Sequence, residues 1–142
     1  MSKRRVVITG MGTVSPVGLN VADSWDNILN GKSGIATLTN LETEGQNVKF
    51  GGSVKDFDIT KYITPKDAKK MDVFIHYGMA AGIQAIEDSG IDITEENAER
   101  IGVAIGAGIG GLGNIENTAD LFREKGAKRI SPFFVPSSII NM

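Results

Sequence analysis

The sequence predicts an α/β fold, a largely parallel sheet with helices packed against it. Val6-Val7-Ile8-Thr9 and Ile101-Gly102-Val103-Ala104-Ile105 are short apolar, mostly β-branched runs of the kind that form buried strands. Each opens into a glycine-rich turn, Gly10-Met11-Gly12 in one case and Gly106 to Gly113 in the other, and each turn leads towards a helix-forming stretch. Glycine itself is in excess, 18 of 142 residues against the usual ~7%, and the excess sits at these junctions and not in a low-complexity tract.

Between and around those units the elements follow in order. Asn20 caps a helix that puts Val21, Trp25, Ile28 and Leu29 on one face, and Gly31 stops it. Residues 35–63 are irregular; Gly51-Gly52 amid Phe50, Val54 and Phe57 predicts extended segments or a hairpin outside the main sheet. Thr64-Pro65-Lys66-Asp67 joins a cap, a proline at the first helical position and an acid three residues on, so a short helix begins there. Asp72 to Ser89 is a helix closed by Gly90. It is apolar almost all round between Val73 and Ile86 and so is expected to be covered on most sides, with Gly78, Gly82 and Ala85 as a small-residue stripe.

Glu95 to Arg100 reads as a single helical turn, and the helix after the second glycine turn runs to about Lys125. Ser137-Ser138 reads as a cap, with Ile139-Ile140-Asn141-Met142 as the first turn of another helix. Two strands make a poor sheet, and a nearly apolar helix needs more neighbours than these elements provide. Residues 1–142 are therefore expected to be the N-terminal part of one larger domain, truncated.

Composition narrows the function. With 15 Lys and Arg against 17 Asp and Glu, the net charge is −2, which argues against a general nucleic-acid binder. There is no cysteine, hence no disulfide framework, thiolate metal site or cysteine nucleophile within these residues, and no metal or cofactor is expected. The apolar run Val73 to Ile86 falls short of the ~20 residues that span a bilayer, and the basic start Met1-Ser2-Lys3-Arg4-Arg5 is not followed by a signal-peptide apolar region. A cytoplasmic protein with no membrane partner is the expectation.

Several motifs carry rival readings. Gly106, Gly108 and Gly111 fit G-x-G-x-x-G between a strand and a helix, which suggests a nucleotide-binding α/β domain. About 20 residues on, however, where an acid should meet the ribose, stand Arg129, Ile130, Ser131 and Pro132. Gly31-Lys32-Ser33 lacks the earlier glycine of a phosphate loop, and His76 has no ligand or acid at useful spacing, so these read as a turn and a packed histidine. The loop Ser131-Pro132-Phe133-Phe134-Val135-Pro136 is too apolar for open solvent; it fits core packing, a subunit interface or the wall of an apolar tunnel. Lys66, Lys69 and Lys70, and separately Lys125, Lys128 and Arg129, form basic clusters on an acidic chain, either a solvated face or a docking patch for an acidic partner.

Taken together, Arg4 to Gly12, Ser15-Pro16-Val17-Gly18, Ile105 to Gly111 and Ser131 to Ser137 resemble the β-ketoacyl-[acyl-carrier-protein] synthases, with the order and spacing of those that elongate bacterial fatty acids. Lys70-Met71-Asp72 and Glu95-Glu96-Asn97-Ala98 extend the resemblance along the whole chain, over about the first third of such an enzyme. It implies a thiolase-like layered α/β fold, of which this is the partial N-terminal half, and a homodimer. The implied reaction is a decarboxylative Claisen condensation between an acyl thioester and malonyl-carrier protein. It further implies that Gly108 and Ile109 line the acyl pocket, that Phe134 reaches it from the partner subunit, and that Lys66, Lys69, Lys70, Lys128 and Arg129 meet acyl carrier protein. No catalytic residue of that family falls within these 142; its cysteine and two histidines lie downstream, and His76 matches neither histidine. A non-catalytic, chain-length-factor type of synthase relative remains an alternative.

Overall fold

The computed structural model describes residues 4–39 and 41–139. In chain order the elements are helix α1 (Val21–Leu29), strands β1 (Ile35–Thr37) and β2 (Phe50–Gly52), and helices α2 (Pro65–Ala68), α3 (Val73–Ser89), α4 (Leu112–Lys125) and α5 (Phe134–Ser138), with three short 3-10 turns between them. The described residues divide into two compact units: those up to Asp58 with Ala80–Ile91, and Ile59–Met79 with those from Asp92 onward.

In the first unit, residues 10–13 lie along the second half of α3. The Met11 amide donates to Asp88 Oδ2 (2.8 Å) and the Thr13 amide to Gln84 Oε1 (3.2 Å), while Gln84 Nε2 donates to the Leu19 carbonyl (2.8 Å). A side chain at Gly12 would run into the Ala81 carbonyl, and one at Gly10 into the Ala85 carbonyl. Only glycine allows this approach, so the small-residue contact falls at Ala81 and Ala85. Asn20 caps α1 as its chemistry requires, its side-chain oxygen accepting from the Asp23 amide (2.8 Å), and the helix ends at Gly31 in a left-handed conformation (φ +65°). Of the two readings left open for residues 35–63, extended segments or a hairpin, the structure has the second: β1 and β2 pair antiparallel, with Ile35 opposite Gly52 and Thr37 opposite Phe50.

In the second unit, Thr64 caps α2 by accepting from the Asp67 amide, with Pro65 at the first helical position. The residue before α4 is Gly111, and the helix closes at Gly126 with Arg123 and Lys125 in the last turn, where cations suit the carbonyl end.

Four expectations need correcting. Val6–Thr9 and Ile101–Ile105 belong to no ladder, and the hairpin is the one sheet among the described residues. A strand needs partners about 4.8 Å away, which the local sequence cannot supply; Val6, Ile8 and Val103 stand 86, 84 and 79% exposed. Secondly, α3 is covered only in part: Ala80 is its one buried residue, and residues 74–79 and 81–85 are half-buried. Thirdly, the apolar segment after Ser131 is only partly loop. Phe134 to Ser138 is helical, and Pro136 is tolerated because the first helical turn does not need its N–H. Finally, Ser137 and Ser138 are the last residues of a helix, their hydroxyls donating backwards to the Phe134 carbonyl. The rest of the predicted turn, Ile140-Asn141-Met142, lies outside the described residues.

Candidate functional site

The sequence-predicted residues fall in the second unit, which holds two concavities; of them, Lys69 and Lys70 border the second and the others border neither. One is an apolar cavity of about 940 Å³ whose wall includes Met71, Phe74, Tyr77, Val103, Ile105 and Pro136. Burial there pushes the Tyr77 hydroxyl above its ordinary range. Gly108 and Ile109 do not line this cavity; they follow Ala107, which does, and Ile109 is 74% exposed on the glycine loop. Phe134 is half-buried two residues before Pro136 and also lies off that wall. Neither Ile109 nor Phe134 borders this cavity, whereas the segments that carry them are linked. The Gly111 amide donates to the Ser138 carbonyl (3.0 Å), and Gly110, at φ +81°, passes so close that a Cβ would meet the same oxygen at 2.5 Å.

The second concavity, about 460 Å³, is bordered by Lys69, Lys70, Asn114, Asn117, Ser131 and Phe133. It brings the first basic cluster beside the aromatic segment. Lys70 Nζ lies 2.7 Å from Asp67 Oδ1 and 5.8 Å from the centre of the Phe133 ring. That ammonium and the Thr64 hydroxyl hold the Asp67 carboxyl below its ordinary range, the Lys70 hydrogen bond counting most. Lys66 and Lys69 are exposed and free of ion pairs among the described residues. Lys128 and Arg129 are exposed on the 3-10 turn Ala127–Arg129, outside the second concavity.

Two rival readings lose ground here. A side chain at Gly111, just before α4, would meet the Asp72 carboxylate at 2.9 Å, so a negative charge already stands where a pyrophosphate would bind. His76 is engaged structurally, its Nε2 donating to the Ala68 carbonyl (2.9 Å). Among the described residues no group of three or more His, Cys, Asp or Glu could hold a metal ion, and no helix is long and apolar enough to cross a membrane.

Sequence reasoning missed Asn114. Its Nδ2 donates to Ser137 Oγ (2.7 Å) and Ser138 Oγ (2.9 Å), tying α4 to α5. An asparagine in a first helical turn, 23 residues before a serine pair, gives no local signal, because the partner is visible only in three dimensions.

Residues 3–142 match the family model for the β-ketoacyl synthase N-terminal domain. The chain belongs to this family. Over all 142 residues it is 58% identical to 3-oxoacyl-[acyl-carrier-protein] synthase 2 of Vibrio harveyi and 44% identical to the protein so named from Synechocystis sp.. It spans 34% of the length of each of these relatives. Among solved structures, it is similar to a type II polyketide ketosynthase bound to its acyl-carrier protein (TM-score 0.72, 25% identity, 94% of this chain and 36% of that one). It is also similar to the ishigamide ketosynthase/chain length factor (TM-score 0.77, 26% identity, 97% and 34%). The thiolase-like layered α/β fold predicted from the sequence is thus that of its family, present here as an N-terminal part.

Proposed function

We propose that the full-length protein to which these residues belong is a 3-oxoacyl-[acyl-carrier-protein] synthase of fatty-acid elongation. The 58% identity to a synthase 2 across the whole chain carries this reading. An acyl group passes from its carrier thioester to a cysteine thiolate outside residues 1–142, and malonyl-carrier protein then loses carbon dioxide. The carbanion left behind attacks the enzyme-bound thioester, expels the thiolate and yields 3-oxoacyl-carrier protein.

This segment supplies no nucleophile, since it has no cysteine. Its contribution is recognition: Gly108 and Ile109 form pocket wall, Phe134 closes the pocket of the partner subunit in a homodimer, and Lys66, Lys69, Lys70, Lys128 and Arg129 receive the acidic carrier. Lys66, Lys69, Lys128 and Arg129 are exposed, as docking cations must be. A cytoplasmic setting accords with a carrier-borne substrate.

The test is a condensation assay with acyl- and malonyl-carrier protein. The full-length protein should release carbon dioxide and form 3-oxoacyl-carrier protein, and the 142-residue chain alone should form none. A folded full-length protein that binds carrier protein without condensing would favour the second reading, a chain-length-factor type of partner, which the likeness to the ishigamide complex supports.

A further inference from the structure

We propose that Asn114 is a positioning residue for Phe134, and that through it α4 helps set which acyl-chain lengths the synthase accepts. The proposal rests on the reading of Phe134 as a pocket residue.

The geometry is a closed ring of four hydrogen bonds. The Asn114 amide has two N–H groups, one directed at Ser137 Oγ (2.7 Å) and the other at Ser138 Oγ (2.9 Å). Each hydroxyl in turn donates to the same acceptor, the Phe134 carbonyl, at 3.0 and 2.7 Å. That oxygen accepts from both hydroxyls. The direction of the ring is fixed, because a hydroxyl that gives its hydrogen to a carbonyl must accept from the amide. Ser137 and Ser138 are 7 and 3% exposed, so water does not replace a missing partner.

The ring grips the residue that carries the candidate pocket side chain. α5 has five residues, too few to persist as an isolated helix, so its geometry is set by its tertiary ties. The Gly111–Ser138 backbone bond is one tie and the Asn114 ring is the other. Both attach at the end of α5, and the second reaches back to the Phe134 carbonyl through the serine hydroxyls. A directional network closed on two buried serines favours one arrangement more strongly than a hydrophobic contact would. Loss of Asn114 therefore loosens the Phe134 ring relative to the rest of the subunit that presents it, and the end of the acyl pocket becomes less sharply defined.

The experiment compares kcat/KM of the full-length protein for short and long acyl-carrier primers in Asn114→Leu, Phe134→Ala and the double variant. Leucine keeps the volume and removes both donors. We expect Phe134→Ala to change the long-to-short ratio and Asn114→Leu to move it the same way by about fivefold. The double variant should match Phe134→Ala alone, since the two residues act through one element. An unchanged ratio in Asn114→Leu beside a changed one in Phe134→Ala overturns the role of Asn114 and leaves the pocket reading standing. An unchanged ratio in Phe134→Ala overturns both. A shift by Asn114→Leu that persists undiminished in the Phe134→Ala background also overturns the proposal, because the effect then travels by another route. If Asn114→Leu does not fold, Ser138→Ala removes half of the ring and carries the same comparison.

Discussion

Neutralising lysines one at a time should reveal a division of labour that net charge hides. Lys66 on α2 and Lys69 at its C-terminal cap are exposed with no ion pair among the described residues, whereas Lys70 lies 2.7 Å from Asp67. From a carrier several ångströms away, Lys70 and Asp67 present a small dipole, and the steering field comes mainly from the other two. A unit charge 4 Å from an opposite one is worth about 1 kcal/mol in bulk water and about 4 kcal/mol at an effective dielectric of 20. Removing two free charges at a docking rim should therefore cost association about tenfold at low salt. Stopped-flow binding of carrier protein to the full-length enzyme, at ionic strengths spanning Debye lengths from about 30 to 8 Å, reads this directly. Lys66→Gln with Lys69→Gln should slow association and flatten its salt dependence. Lys70→Gln should slow it by about twofold or less, and Asp67→Asn, which unmasks Lys70, should speed it. An unchanged salt slope in the double variant, or an effect of Lys70→Gln as large as that of the pair, refutes the reasoning.

Ile109→Phe in the full-length protein should impair long acyl primers more than short ones, because the ring occupies the space a long tail needs; equal losses at every length count against Ile109 as pocket wall. Gly12→Ala should destabilise the fold by about 2 kcal/mol, since the new methyl meets the Ala81 carbonyl and forces backbone to shift; a thermal midpoint equal to that of the parent would contradict the close approach. Asp67 should titrate below the ordinary carboxylate value of 3.8, so what its bonds to Lys70 and Thr64 contribute is complete above that pH and is lost as pH falls through the lower folded value. An NMR titration with a midpoint at or above 3.8 would show that the pairing does not hold in solution.

Helices were legible where the signal lay within a few residues. Asn20 and Thr64 announced two helix starts by their own capping chemistry, and Gly31 and Gly90 stand just beyond α1 and α3. The hairpin was legible from Gly51-Gly52 and its alternating neighbours. Val6–Thr9 and Ile101–Ile105 had the composition of strands, but composition states a preference and a ladder requires a partner. Ser137-Ser138 was misread because serine beside an apolar run signals a helix start only when its oxygen accepts a forward amide; here both hydroxyls donate backwards. At the site, the basic clusters and the aromatic segment were legible singly. Their joining, Lys70 over Phe133 and Asn114 on the serine pair, was not.

The two kinds of interaction divide the chain in an instructive way. Its polar networks are complete: among the described residues no buried side-chain nitrogen or oxygen lacks a partner. Its apolar surfaces are not, for Trp25, Ile28 and Leu29 on α1 and Val103 on the predicted strand all remain exposed. Apolar burial is non-directional and scales with whatever area is covered, so any sufficiently large neighbouring surface can satisfy these side chains. Hydrogen bonds are directional and must be closed by particular atoms. The geometry proposed here to bear on recognition, the Phe134 turn and the Asp67–Lys70 pair, is built from the second kind, with its partners inside this segment. Substitutions on the exposed apolar faces should accordingly cost stability without altering primer choice, whereas substitutions in the Asn114 ring should alter primer choice even in molecules that remain folded.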